Sequence, residues 1–148
     1  MRKFFLLIFL ILFSLSAYSK ESNFGIGLIA GEPTGISMKY WIDKNSGIDI
    51  ALAWSFEREA SFRVHIDYLW HFREVFKGEF KDFYPYVGGG ALVNISERFR
   101  AGIRVPVGAG YLFRSINLEV FLEVVPVVNV FPATTLAGNA GIGVRYYF

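Results

Sequence analysis

The sequence contains no cysteine, and beyond its first twenty residues it contains no apolar run long enough to span a membrane as a helix. The first absence excludes disulfide bonds and thiolate metal sites. The second excludes a spanning helix in the body of the chain, because such a helix needs roughly 20 consecutive apolar residues. A chain that is nevertheless 53% hydrophobic and 18% aromatic must carry its apolar residues in short segments.

The N-terminus is the exception to this pattern. Two cations precede an apolar segment from Phe4 to Phe13, and the small residues Ala17 and Ser19 follow it. This order predicts a secretory signal peptide over 1–19, cleaved after Ser19, and one domain over 20–148. The alternative is an uncleaved anchor helix, which the short apolar segment disfavours.

An excess of charge of one sign is also lacking. The chain has 15 basic and 13 acidic residues, and loss of Arg2 and Lys3 with the signal peptide leaves 13 of each. A domain without net charge lacks the basic field that nucleic-acid binding requires. The glycines at 25–27 and 88–90 are not phosphate loops, because no helix is predicted after them. We therefore expect no nucleic-acid partner and no cofactor.

From Phe24 onward, apolar and polar positions alternate with a period of two, which is typical of β-strands. The last ten residues show it clearly, because every second residue from Ala140 to Phe148 is apolar and the residues between them include Arg145. Turn residues separate eight such segments. They predict strands at 24–30, 36–42, 48–56, 62–72, 83–93, 99–113, 118–126 and 139–148, with a loop over 127–136. Pro106 is expected to mark a sheet edge or a bulge.

The two faces of these strands favour a membrane β-barrel over a soluble sandwich. One face is apolar, and the other combines Gly and Ala with one or two charges per strand, which suits a narrow lumen filled by side chains. Charges buried in a lumen must be paired, and the inward positions supply both signs. The sequence therefore predicts an all-β fold, an eight-stranded antiparallel transmembrane β-barrel with up-and-down meander topology. Its predicted lumen charge network comprises Lys39, Asp49, Arg63, His65, Asp67, Arg100, Arg104, Glu119, Glu123 and Arg145.

Aromatic residues on the predicted outer faces fall near the two ends of the strands. Membrane barrels carry such girdles at both interfaces, whereas a soluble sandwich has no reason to sort aromatics by height. The predicted interface aromatics are Tyr40, Trp54, Trp70, Tyr84, Tyr86 and Tyr111. Hydrocarbon cannot satisfy a free strand edge, so the last strand is expected to pair with the first.

Several runs of sequence carry a resemblance to a known class of proteins. They are Gly31–Trp41, Tyr68–Phe72, Arg104–Gly108, Leu118–Val124 and Gly141–Phe148. On these residues the chain resembles the small eight-stranded outer-membrane barrels, in the class of the OmpA transmembrane domain and OmpX. It looks most like an uncharacterised bacterial family of small barrel proteins. The resemblance covers essentially the whole mature chain and implies residence in outer-membrane lipid without catalytic residues.

The terminal strand is also similar to the sorting signal that the barrel assembly machinery reads. Gly143, Tyr146 and Phe148 match that pattern, while Gly141 occupies its polar position and departs from it. The resemblance therefore implies the assembly machinery as a partner. It also implies that deleting Phe148 impairs membrane insertion.

We expect a non-enzymatic barrel, monomeric by preference, with both termini periplasmic, a lumen plugged by its charges, and a role in envelope structure or surface interaction. One alternative is a narrow pore or hydrophobic-solute transporter. Another is a lipid A-modifying enzyme, in which His65 would pair with Ser55 or Ser61. His65 and His71 are six residues apart, roughly 20 Å along a strand, and cannot share a metal ion, so no metal site is expected.

Overall fold

The computed structural model describes residues 23–31, 34–55 and 60–148, so the signal peptide predicted over 1–19 lies outside the described residues and stays a prediction. Within them the chain forms nine strands and one short 3₁₀ turn at Gly78–Phe80. The strands are β1 (Phe24–Gly31), β2 (Thr34–Trp41), β3 (Ser46–Ser55), β4 (Ser61–His71), β5 (Phe83–Ile95), β6 (Arg100–Arg104), β7 (Val107–Phe113), β8 (Leu118–Phe131) and β9 (Thr135–Tyr147). No helix in these three ranges is long and apolar enough to cross a membrane.

Hydrogen bonding joins the strands into a closed ring. Successive strands pair antiparallel, and β6 and β7 share one position between β5 and β8. The ring closes because β9 pairs with β1, from Gly25 opposite Tyr147 to Gly31 opposite Gly141. The predicted eight-stranded antiparallel meander, with its last strand against its first, is confirmed.

The sixth position of the ring is broken at a proline. Pro106 has no N–H to donate, and the strand stops at Arg104 and resumes at Val107. Neighbouring backbone groups bridge the gap, since Gly88 N–H donates to Pro106 O at 2.9 Å and Val105 N–H donates to Pro126 O at 3.0 Å. Pro106 therefore interrupts an inner strand of a closed ring and marks no sheet edge.

The loop predicted over 127–136 is wrong. β8 continues to Phe131 and β9 begins at Thr135, with Val127 opposite Ala137 and Val128 opposite Leu136. Val127 lies inside the ring and Val128 faces out, so the alternation of faces persists. This segment carries no charge on either face, so it lacks the charged face by which the other strands are recognised in the sequence.

The outer face of the ring is an exposed apolar belt. On β8 and β9 it includes Leu122, Val124, Ile142 and Val144, which expose 41–59% of their surfaces. The predicted interface aromatics Tyr40, Trp54 and Trp70 are exposed on the outer face too. Tyr111 is half-buried, and its ring packs 4.7 Å from that of Phe113. An exposed apolar surface that encircles a domain requires an apolar environment or a partner.

Candidate functional site

The interior of the ring is filled with charged and hydrogen-bonding side chains. Eleven polar or charged residues are buried within the described residues, and Arg104, Arg145 and Lys39 are among the largest fully buried side chains. Glycines make room for them. A Cβ at Gly90 would lie 1.9 Å from Asp67 Oδ1, and one at Gly143 would lie 2.3 Å from the Phe121 ring. The lumen is therefore a packed core of polar groups.

Glu119 on β8 lies at the centre of the first cluster. Its Oε1 is 2.9 Å from Lys39 Nζ, and its Oε2 is 3.5 Å from Arg145 Nη1. The hydroxyls of Tyr84 and Tyr147 both donate to it. Two cations and two hydroxyls thus neutralise and solvate one fully buried carboxylate, as burial of a charge requires. The cluster joins β2, β5, β8 and β9 across the lumen.

Arg145 extends this cluster toward the opposite wall. Its Nη2 donates to Asp49 Oδ1 at 2.8 Å and its Nε donates to Ser37 Oγ at 2.8 Å. The guanidinium also lies over the Phe121 ring, 3.8 Å from the centroid. Arg145 therefore contacts two carboxylates, a hydroxyl and an aromatic face at once, with each of its three nitrogens donating one hydrogen bond.

Arg104 organises a second cluster. Its Nε is 3.0 Å from Asp67 Oδ2, its Nη2 is 3.4 Å from Glu123 Oε1, and its Nη1 is 2.7 Å from His65 Nδ1. Tyr86 donates to the other oxygen of Glu123 at 2.9 Å. Because arginine only donates, His65 Nδ1 accepts and the ring proton lies on Nε2. Nε2 lies 3.7 Å from Asp67 Oδ2, beyond hydrogen-bond distance.

The structure brings eight of the ten predicted network residues together in the lumen: Lys39, Asp49, His65, Asp67, Arg104, Glu119, Glu123 and Arg145. Arg63 is half-buried. When the Asn139 amide is oriented so that its nitrogen donates to Gly138, its oxygen accepts from Arg63 at 3.0 Å. Arg100 is outside the network, which corrects the prediction. It is the first residue of β6 and lies exposed at the rim, beside a cavity of about 270 Å³.

The prediction that Tyr84 and Tyr86 are interface aromatics is wrong. Both are buried in the lumen, each 2% exposed, with their hydroxyls on Glu119 and Glu123. The outward positions of this part of β5 belong instead to Phe83, Pro85 and Val87. Both faces of the segment are apolar or aromatic, and a shift by one residue exchanges the faces of a strand. The buried carboxylates of Glu119 and Glu123 need hydrogen-bond donors, and this requirement turns the two tyrosines inward.

Sequence reasoning also missed the hydroxyl groups that complete the network. Ser37 and Tyr147 occupy inward positions of β2 and β9, and both bond to charged residues. The sequence does contain a pattern that could have identified them. Each lies two residues from a predicted lumen charge on the same strand face, Ser37 from Lys39 and Tyr147 from Arg145. Hydroxyls at the positions next to buried charges on the same face are candidates for solvating those charges.

Asp49, His65 and Asp67 form a group that could offer three ligand atoms to a cation, all within 4.8 Å of one another. Asp49 lies on β3, whereas the expectation of no metal site rests only on the spacing of the two histidines of β4. That spacing could not reveal a ligand from another strand. Arg145 already holds Asp49, and Arg104 holds both His65 and Asp67. The two guanidinium groups supply the positive charge that a metal ion would otherwise bring to these carboxylates.

The residues proposed for a lipid-modifying centre are not assembled. Ser55 and Ser61 pair with each other at the end of the β3–β4 ladder. Ser61 is four residues from His65 along β4, roughly 13 Å at 3.3 Å per residue. His65 is buried and contacts Arg104. A serine activated by this histidine is therefore excluded by distance.

Very little free space remains between these groups. The cavity beside His65, Arg104 and Glu123 has a volume of about 10 Å³. Such a volume holds about one water molecule. The same cavity is bounded on its other side by Ala51 and Ala53.

Asp43 organises the turn between β2 and β3. Its Oδ2 accepts from the Ser46 hydroxyl at 2.5 Å, and its Oδ1 accepts from the backbone N–H groups of Asn45 and Ser46 at 2.8 Å each. The turn also contacts the lumen, because His71 Nδ1 donates to Asn45 O at 3.0 Å. The bonds from Ser46 and Asn45 hold the pKa of the Asp43 carboxyl below its usual value of 3.8.

We expect Asp43→Ala to cause a small loss of stability at neutral pH, because three turn donors lose their acceptor. A carboxyl with a lowered folded-state pKa stabilises the protein above its usual pKa, and this stabilisation disappears as the pH falls through the folded-state pKa. The difference between wild type and Asp43→Ala should therefore shrink as the pH falls below 3.8. Urea denaturation at several pH values measures it, with Lys44→Ala as control. A pH-independent difference would contradict the assignment.

No family model matches the chain, and no curated protein matches it. Among solved structures, the N-terminal β-barrel domain of Pseudomonas aeruginosa OprF is similar, with a TM-score of 0.69 and 15% identity over 87% of this chain and 100% of that one. OmpT of Vibrio cholerae, described as outer-membrane expressed, aligns at a TM-score of 0.36 and 16% identity over 81% of this chain and 42% of that one. The first likeness establishes a common barrel fold. The second is too low to support any argument.

Proposed function

We propose that the protein is a small, non-enzymatic β-barrel of the bacterial outer membrane, closed to solutes, that serves envelope structure or surface interaction. The observation that carries the proposal is the buried network around Arg104 and Arg145. These two arginines connect carboxylates from β3, β4 and β8 across the whole lumen. A barrel in which side chains fill the interior is a rigid scaffold with its variable parts at the ends.

The membrane part of this proposal is supported by the outer face. The belt of exposed leucine, isoleucine and valine, with Tyr40, Trp54 and Trp70 toward its ends, matches the apolar band and aromatic girdles of transmembrane barrels. The pairing of β9 with β1 closes the ring, so no strand of it is left as a free edge, as hydrocarbon requires. The common fold with the barrel domain of OprF is consistent with this location.

Assembly belongs to the same proposal. We infer that the barrel assembly machinery recognises β9 through Gly143, Tyr146 and Phe148. Two of these residues also have structural roles, because Gly143 leaves space for Phe121 and the Phe148 ring stacks on Phe24 with centroids 6.4 Å apart. A recognition role would therefore be additional to packing at the point of ring closure.

The lumen is expected to stay closed because opening it would break buried ion pairs. A conducting path would require Arg145 to leave Asp49 and Glu119, or Arg104 to leave Asp67 and Glu123. Separating one partner of a buried ion pair costs about 3–5 kcal/mol. This cost favours the plugged scaffold over a narrow pore, which is the second function that the fold allows.

Planar-bilayer recording of the purified, refolded protein tests the proposal. Heat-modifiable mobility in detergent first identifies the folded barrel, and full solubility without detergent would contradict a membrane location. We expect no stepwise conductance from wild type. Arg104→Ala, which removes a large side chain from beside the 10 Å³ cavity, should admit water and small ions, with Arg98→Ala at the exposed rim as control. Regular conductance steps in wild type that change in Glu123→Gln would instead identify a pore.

A further inference from the structure

A cavity of about 520 Å³ opens at one end of the barrel, here called the proximal mouth because Asn23 and Phe148 line it. Its other lining residues include Trp41, Tyr147, Lys44, Arg73 and Arg114. A second cavity of about 100 Å³ adjoins it, shares Arg73 and Arg114, and adds Lys81. Small-molecule sites typically occupy about 300–1,000 Å³. The proximal mouth is therefore large enough for a ligand.

The acids of the proximal mouth already have partners. Asp43 accepts three hydrogen bonds from its own turn, and Asp82 accepts from Arg114 Nε at 2.6 Å. No carboxylate in the described ranges lies within ion-pair distance of Lys44 or Arg73. Lys44 and Arg73 are therefore free of ion pairs within those ranges, with Lys81 nearby, and they outnumber the one unpaired side-chain carboxylate of the lining, that of Asp43, whose partners are neutral donors.

Of the two cations, Arg73 has the geometry better suited to binding a carboxylate or phosphate. Its guanidinium lies 4.1 Å from the centroid of the Trp41 ring and 5.4 Å from that of Tyr84. Its Nε is buried and has no hydrogen-bond partner. Stacking holds the planar fork in place at little further entropic cost, and such a fork matches the two oxygens of a carboxylate or phosphate. Because Nε itself is buried, an anion in the cavity would accept from the terminal Nη groups of the fork.

The side chains at the floor of the proximal mouth separate it from the rest of the lumen. Trp41 and Tyr147 are 8% and 7% exposed, and immediately behind them lies the Glu119 cluster with Lys39 over the Trp41 ring at 4.1 Å. The mouth is consequently a blind pocket. A ligand that enters it stays at the end of the barrel.

We propose that the proximal mouth is a binding site for a small anion that carries a carboxylate or phosphate group, held by Arg73 and attracted by Lys44. This inference goes beyond the scaffold role and does not depend on it, because the pocket and its charges belong to one end of the barrel whatever the lumen conducts. The anionic oxygens would accept from the guanidinium, and the aromatic floor would exclude water beneath them.

Isothermal titration of the purified full chain in a maltoside detergent tests the site, with pyrophosphate and citrate as probes. Such a detergent carries no anionic group that could compete. We expect saturable binding of at least one probe, weakening as salt rises. A clear preference between the two probes would distinguish a phosphate ligand from a carboxylate one.

Arg73→Gln should weaken that binding about tenfold or more, since a charged hydrogen bond contributes about 1.5–3 kcal/mol and 1.4 kcal/mol is a factor of ten. Arg98→Gln, at the exposed opposite end, is the matched control and should bind like wild type. Lys44→Gln, in an exposed turn, is a second variant that should weaken binding less and still fold. Absence of saturable binding in wild type, or wild-type affinity in folded Arg73→Gln, would overturn the site. Either result leaves the bilayer recordings unchanged, so the two proposals fail separately.

Discussion

Glu119→Ala is expected to lower the free energy of unfolding by about 3–5 kcal/mol, the cost of breaking a buried ion pair from one side. Glu119 is fully buried and accepts from Lys39, Tyr84, Tyr147 and Arg145. The alanine removes the one group that all four donors share. Lys39 then remains as a buried cation without an acceptor, which is the main source of the loss.

Urea titration of the refolded protein in lipid vesicles, followed by heat-modifiable mobility, measures the effect. Glu97→Ala is the control, because Glu97 is exposed in the turn between β5 and β6 and its loss should change stability by less than about 0.5 kcal/mol. Glu119→Gln keeps the shape and some acceptance but not the charge, and should fall between the two. If Glu119→Ala unfolds at the same urea concentration as Glu97→Ala, the lumen network does not stabilise the barrel.

The second large effect is expected at Gly90. A Cβ there would lie 2.2 Å from the backbone oxygen of Ile66 and 1.9 Å from Asp67 Oδ1. The side-chain oxygen can move, but the backbone oxygen belongs to the β4–β5 ladder. Gly90→Ala should therefore force the two strands apart and destabilise the barrel by about 1–3 kcal/mol or more, the usual cost of overpacking.

Gly89→Ala is a closely matched control for this variant. Gly89 is the adjacent residue of the same strand and faces outward, and no heavy atom beyond its chain neighbours lies within 4 Å of the position that a Cβ would take there. Alanine in a strand interior loses less backbone entropy than glycine, so Gly89→Ala should be neutral or stabilising by about 0.5–1 kcal/mol. Both variants are compared by urea titration and refolding yield. Equal stabilities would show that the strands have room for a Cβ at position 90.

Period-two patterning predicted most of the fold correctly because a barrel strand has two different environments. Where one face carries charge, as with Glu119 and Glu123 on β8 or Arg145 on β9, the inward residues were identified correctly from sequence. Where neither face carries charge, the pattern failed. The hairpin around Phe131 was mistaken for a loop for this reason.

Tyr84 and Tyr86 illustrate the second kind of failure. A tyrosine suits a membrane interface and a buried hydrogen bond equally well, because it joins an apolar ring to one polar hydroxyl. Which environment it occupies depends on the register of β5 and on acceptors that other strands supply. Here the acceptors are Glu119 and Glu123, 35 and 37 residues further along the chain.

The sequence by itself determined that the strands have an apolar and a charged face, that their number closes a small barrel, and that the lumen receives both signs of charge. These properties follow from local alternation. Only the tertiary structure decided which charges meet, because partners such as Lys39 and Glu119 are 80 residues apart, and Arg145 and Ser37 are 108 apart. Their contact depends on ring closure and strand register. The same closure placed Arg73 over Trp41 at the proximal mouth, since a cation and a ring from different parts of the chain become neighbours only when the barrel forms.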